Sequence, residues 1–178
     1  MHAKTVNDIL SAVGLAGSRY RSVDGGVAIL PLPHLVDGAV LSKCCATSDC
    51  TVRYAEVNVK SAHMRLKLDN DPAEAEPRHE LGDPPDCDLH GLEGEDGDEV
   101  RRVLAALSAA SLDGVQPVFE MLMQPTQCVV YACSPATKYD HLLLADVLSS
   151  HTVEYDTQAG ETRVVVQLRT PPSKRIKR

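Results

Sequence analysis

Apolar and polar positions along the chain switch repeatedly between a helical and a strand period. Thr5-Val-Asn-Asp8 has the form of a capping box, with Asp in place of the usual Glu or Gln. Ile9, Leu10 and Val13 then fall on one side and Gly14 stops the run, which predicts a helix of about 9 residues. From Arg19 to Leu30 two apolar runs flank Asp24-Gly25-Gly26, where glycine permits the positive φ of a tight hairpin, and Pro31 and Pro33 end the second strand. Leu35 to Leu41 reads as a short strand or turn broken at Gly38. Thr51 to Val59 is rich in β-branched residues. Ala62 to Leu68 then alternates, with Met64, Leu66 and Leu68 on one face and His63, Arg65 and Lys67 on the other.

The later pattern is similar in kind. Val100, Val103, Leu104 and Leu107 recur at helical spacing, with Asp96 and Asp98 at the positive end of the helix dipole. Val115 to Met123 and Gln127 to Cys133 read as strands bounded by Pro117, Pro125 and Pro135. Thr137-Lys-Tyr-Asp140 repeats the capping pattern ahead of an apolar helix from Leu142 to Leu148. Thr152 to Asp156 and Glu161 to Leu168 alternate around Thr157-Gln-Ala-Gly160, the clearest hairpin in the chain. The blocks share no residue-level identity at one fixed offset, so no internal repeat is expected. Hairpins in place of long crossovers predict α+β, with a mainly antiparallel sheet and two or three short helices.

Between the blocks, Asp69 to Glu99 carries 13 acidic residues against one basic residue, Arg78, so it is −12 in a chain whose net charge is −7. The rest of the chain is therefore +5. With four prolines and few large apolar residues, this stretch cannot bury enough surface to offset the entropy of ordering it. The expected organisation is a first block over residues 1–68, a flexible acidic connector over 69–99, a second block over 100–169 packed on the first, and a basic tail over 170–178.

Composition narrows the function classes. The chain has no Trp and one Phe, Phe119, whereas single-stranded nucleic-acid platforms depend on exposed rings. No window approaches the roughly 18 apolar residues of a membrane span, so no membrane partner is expected. The N-terminus lacks a basic start followed by a long apolar run, so the six cysteines are expected reduced.

Candidate chemistry is sparse. Cys44, Cys45 and Cys50 with Cys87 and His90 supply the residue types of a tetrahedral zinc site, but the second pair lies in the connector and buried thiols are the simpler reading. Cys128 or Cys133 with His141 or His151 would suit a thiol nucleophile and its base. Cys128-Val-Val-Tyr-Ala-Cys133, however, reads as strand interior, where Cys serves as a small hydrophobe. No GxSxG elbow, phosphate loop or HExxH occurs, and the carboxylates cluster in a stretch that holds no fixed geometry. A non-enzymatic role without cofactor or metal is the expectation.

The tail is the most informative local signal: Lys174, Arg175, Lys177 and Arg178 follow Pro171 and Pro172. Four cations on an extended end suit an import receptor's acidic groove or phosphate contact, and Thr170-Pro171 is a proline-directed phosphorylation pattern. The expected function is a nuclear adaptor or accessory subunit of a protein complex, with a protein partner or homo-oligomer as its main contact and nucleic acid a secondary one through the tail. The alternatives are a zinc-stabilised nucleic-acid-binding module and a cysteine-dependent hydrolase.

Overall fold

The computed structural model describes residues 3–12, 14, 19–23, 26–29, 31–47, 51–69, 80–133 and 138–169. Among these, four helices and ten strands follow in chain order. The first seven are α1 (Ala3–Ala12), β1 (Tyr20–Val23), β2 (Gly26–Ile29), β3 (Leu35–Asp37), α2 (Gly38–Thr47), β4 (Thr51–Asn58) and β5 (His63–Asp69). The second seven are α3 (Gly94–Ala110), β6 (Val118–Met123), β7 (Gln127–Cys133), β8 (Lys138–Asp140), α4 (His141–Val147), β9 (Thr152–Asp156) and β10 (Glu161–Gln167). The class is α+β, with two antiparallel five-stranded sheets in place of one.

The sheets run β1-β2-β5-β4-β8 and β3-β9-β10-β7-β6. Element order and strand order are therefore the same in both halves: β1, β2, β4 and β5 correspond to β6, β7, β9 and β10. The repeat that the sequence did not disclose is present in the topology. Register assigns the equivalents: Tyr20 with Phe119, Val27 with Val130, and Arg65 with Arg163. Their separations are 99, 103 and 98 positions, because the hairpins and the α2 and α4 segments differ in length. No single offset aligns them.

Each half lends one unit to the other. β3 pairs with β9 of the second half, and β8 pairs with β4 of the first. The helices follow their strands, so that α2 packs on β9 and α4 on β4, and the two helices meet each other. One continuous core results, holding Leu41, Val57, Met64, Leu66, Leu104, Leu107, Val130, Leu144, Tyr155 and Val164. Gly38 sits where an added Cβ would approach the Val153 carbonyl oxygen to 2.7 Å, so only glycine lets α2 start this close to β9.

Three local expectations change. Leu35 to Leu41 contains both β3 and the start of α2, and α2 is a full helix that hydrophobic spacing did not reveal. α1 begins at Ala3, ahead of the expected Thr5 cap. α4 is capped by Asp140, whose carboxylate accepts from the Leu142 N–H at 3.0 Å, in place of Thr137. Its counterpart Asp37 accepts from the Ala39 N–H at 2.8 Å. A short strand ending in an N-capping aspartate is thus the repeated device at both exchange points.

The connector is described only from residue 80. Residues 80–93 hold no regular helix or strand, but Leu81 and Leu89 rest against the core and Leu92 is buried. α3 starts at Gly94, six residues ahead of the expected boundary. Its first turn includes Asp96, only 4 % exposed, whose Oδ1 accepts from the Arg169 N–H at 2.9 Å beyond the end of β10.

Candidate functional site

Two places concentrate the chemistry of the described residues: the contact of α2 with α4, and the outer edge of the second sheet. At the first, His141 opens α4 and is 1 % exposed. Its Nδ1 lies 2.7 Å from the Tyr155 hydroxyl and its Nε2 lies 2.9 Å from Ser42 Oγ. Ser42 donates its own proton to the Gly38 carbonyl, one helical turn back, at 2.8 Å. With that proton committed, the chain of bonds is consistent only with Nε2–H donating to Ser42 and Nδ1 accepting from Tyr155. Burial lowers the His141 pKa to about 4, against a smaller upward pull from the Gly38 backbone, so the ring is neutral at physiological pH. Burial likewise raises the Tyr155 pKa.

A cavity of about 210 Å³ opens beside this cluster, lined by Ser42, His141, Ala145, Leu148, His151 and Val153 among others. A serine, a histidine and a hydroxyl in line resemble the parts of a hydrolase, but the proton inventory differs. Ser42 has no hydrogen directed at the ring, and the group bonded to Nδ1 is the Tyr155 hydroxyl in place of a carboxylate that would stabilise an imidazolium. The arrangement satisfies the buried His141 and Tyr155 and the part-buried Ser42 where α2, α4 and β9 meet.

The thiol–imidazole pairs expected from residue types are not brought together as such pairs. His141 bonds Ser42 and Tyr155, and His151 Nε2 lies 2.6 Å from Glu99 Oε1. Cys128 is fully buried in β7. Cys133 directs its thiol at Glu161 Oε2, 3.7 Å away; burial and the carboxylates of Glu161 and Glu120 push its pKa up to about 11, the opposite of activation. Of the zinc candidates, Cys45 is buried in α2, Cys87 is half-buried and its pKa is raised by burial and by Asp88 and Asp86, and His90 has its ring 3.9 Å from Asp88 Oδ2. The side chains of Cys44 and Cys50 lie outside the described residues. Among the described residues no group of three His, Cys, Asp or Glu stands close enough to hold a metal ion. Thr170, Lys174, Arg175, Lys177 and Arg178 also lie outside the described residues.

The second place is β6. It is hydrogen-bonded to β7 on one side and has no neighbour among the described residues on the other. Along its six residues the side chains alternate: Phe119, Met121 and Met123 are half-buried against the core, whereas Val118, Glu120 and Leu122 are exposed. Val118 is 52 % exposed and Leu122 49 % exposed, and the segment leading into the strand adds Leu112 and Val115. These four are most of the large exposed apolar residues in the described chain, gathered over eleven positions. A strand edge with unpaired backbone groups and an apolar outer face is a template for another strand. Sequence reasoning identified β6 as a strand. Its place at the edge depends on pairings made far along the chain, and no local signal carries them.

Comparison with protein-family models, with curated proteins and with solved structures finds no significant match to this chain.

Proposed function

We propose that this protein is a non-enzymatic adaptor or accessory subunit of a protein complex, and that it contacts its partner by adding a strand to β6. The observation that carries the reading is the open β6 edge with Val118 and Leu122 exposed beside it. In strand addition, main-chain hydrogen bonds supply affinity and alternate side chains supply specificity. The interior supports the same reading from the other side. The buried cluster Ser42–His141–Tyr155 holds its protons in bonds that tie α2, α4 and β9 together, and the most exposed described thiols are raised in pKa. We propose further that it acts in the nucleus, a reading supported by Lys174, Arg175, Lys177 and Arg178, four cations within five residues of the sequence.

The test is affinity capture of the tagged full chain from its own cells, comparing the natural sequence with Val118→Lys and Leu122→Lys. Both positions face solvent, and lysine on an edge strand discourages strand pairing without disturbing the core. The natural chain is expected to retain a reproducible set of proteins that both variants lose. Retention of the same set by both variants would remove β6 from the contact. Replacing the four tail cations by alanine is expected to move a fluorescent fusion out of the nucleus.

A further inference from the structure

The repeated topology gives β6 an equivalent at the edge of the other sheet. β1 ends the first sheet as β6 ends the second, and the two strands are equivalents in the repeat. Register makes Arg21 the counterpart of Glu120: Arg21 pairs with Ala28 on β2, and Glu120 pairs with Tyr131 on β7, the residue matching Ala28. Both are exposed. The two edges therefore present opposite charges at the same structural position.

From this we infer that the strand added to β6 is β1 of a second copy of the chain, in head-to-tail self-association; the inference rests on the reading of β6 as the contact edge and names its occupant. Because β1 and β6 are equivalent strands, a contact between them is locally twofold, which makes the pairing antiparallel. Setting Arg21 opposite Glu120 then places Val23 opposite Val118, Arg19 opposite Leu122 and Tyr20 opposite Met121. The faces agree: Arg19, Arg21, Val118, Glu120 and Leu122 are exposed, whereas Tyr20 and Met121 both rest against their own cores. Glu120 meets Arg21 directly and Arg19 on the diagonal, Val23 covers Val118, and the aliphatic stem of Arg19 lies over Leu122, so the central charge pair and one apolar pair are matched across the new strand pair. A β6-to-β6 contact centred on Glu120 would instead set two carboxylates face to face. The head-to-tail contact uses a different patch on each copy, so every copy retains one edge for the next.

Sedimentation velocity of the full chain over a range of concentrations tests the proposal, using Arg21→Glu and Glu120→Arg separately and mixed. The natural chain is expected to show concentration-dependent growth in mass. Each variant alone opposes like charges at the contact, and its self-association is expected to weaken at least tenfold. The mixture is expected to recover, because the new carboxylate on β1 of one variant then faces the new guanidinium on β6 of the other, while the remaining contact is the natural one. Circular dichroism of each variant checks that the fold is retained; the sites are exposed, and a double variant carrying both changes should also associate like the natural chain. A natural chain that stays monomeric, or an Arg21→Glu variant that associates normally, would overturn the proposal. If self-association is absent while Leu122→Lys still loses captured proteins, the edge is a contact for a different protein, and only the identity of its occupant is wrong.

Discussion

At the scale of single residues, burial decides what each polar group does. His141 has ordinary histidine chemistry, but its position inside the α2–α4 contact drives its pKa down from 6.5 to about 4. A histidine with a depressed folded-state pKa contributes nothing against stability above pH 6.5. Between pH 6.5 and 4 the unfolded chain takes up a proton that the folded chain refuses, so stability falls as pH falls. At about pH 5 the cost relative to about pH 7 is on the order of 2 kcal/mol. Urea unfolding of His141→Gln is expected to lose about that much of the difference between those two pH values, whatever its absolute stability. An unchanged difference would mean that the ring reaches water in the native state. Asp96 makes the complementary case. Its place in the acidic run suggests one more solvated acid, yet it is buried and holds the Arg169 backbone, whereas its neighbour Asp98 is 78 % exposed at its side chain. Asp96→Ala is expected to cost about 1.5–3 kcal/mol, as loss of a charged hydrogen bond does. Asp98→Ala should stay within about 0.5 kcal/mol, and the same urea titrations measure both.

At the scale of elements, what was legible from the sequence follows from how local each signal is. The β9–β10 hairpin announces itself through strict alternation on both sides of a four-residue turn, and its observed register sets Val153 opposite Val164, as the alternation implies. α3 was legible from its apolar spacing, although its first turn was hidden in the acidic run because Gly94 to Asp98 offers no large apolar residue. α2 was not legible. Gly38, Ala39 and Ser42 give it too narrow an apolar stripe, and its helical state is set by the Asp37 cap and by packing between two sheets. β3 and β8 are three residues each, below the length at which alternation carries information. The candidate site was half legible for the same reason. The composition of β6 is visible in the sequence, but its open side follows from where β7, β10, β9 and β3 lie.

For the whole molecule, the exchange of β3–α2 and β8–α4 makes the two halves interdependent, so the described body should melt as one cooperative unit. Expressed alone, residues 1–69 lack the strand that closes β4, and residues 80–178 lack the strand that closes β9. Each fragment is expected to show no cooperative thermal transition by circular dichroism, and mixing them should restore one. A first fragment that melts cooperatively by itself would show that the lent strand is dispensable.

The exchange also imposes an order on assembly at the ribosome. When residue 69 leaves the exit tunnel, β4 has its partner β5 on one flank, but the other flank waits for Lys138–Asp140, encoded about 70 codons later. At roughly 5–20 residues per second, that interval lasts several seconds. Throughout it the β4 flank at Glu56, Val57 and Asn58 lacks its strand partner, and slowing translation across codons 70–137 should lengthen its exposure to chaperones.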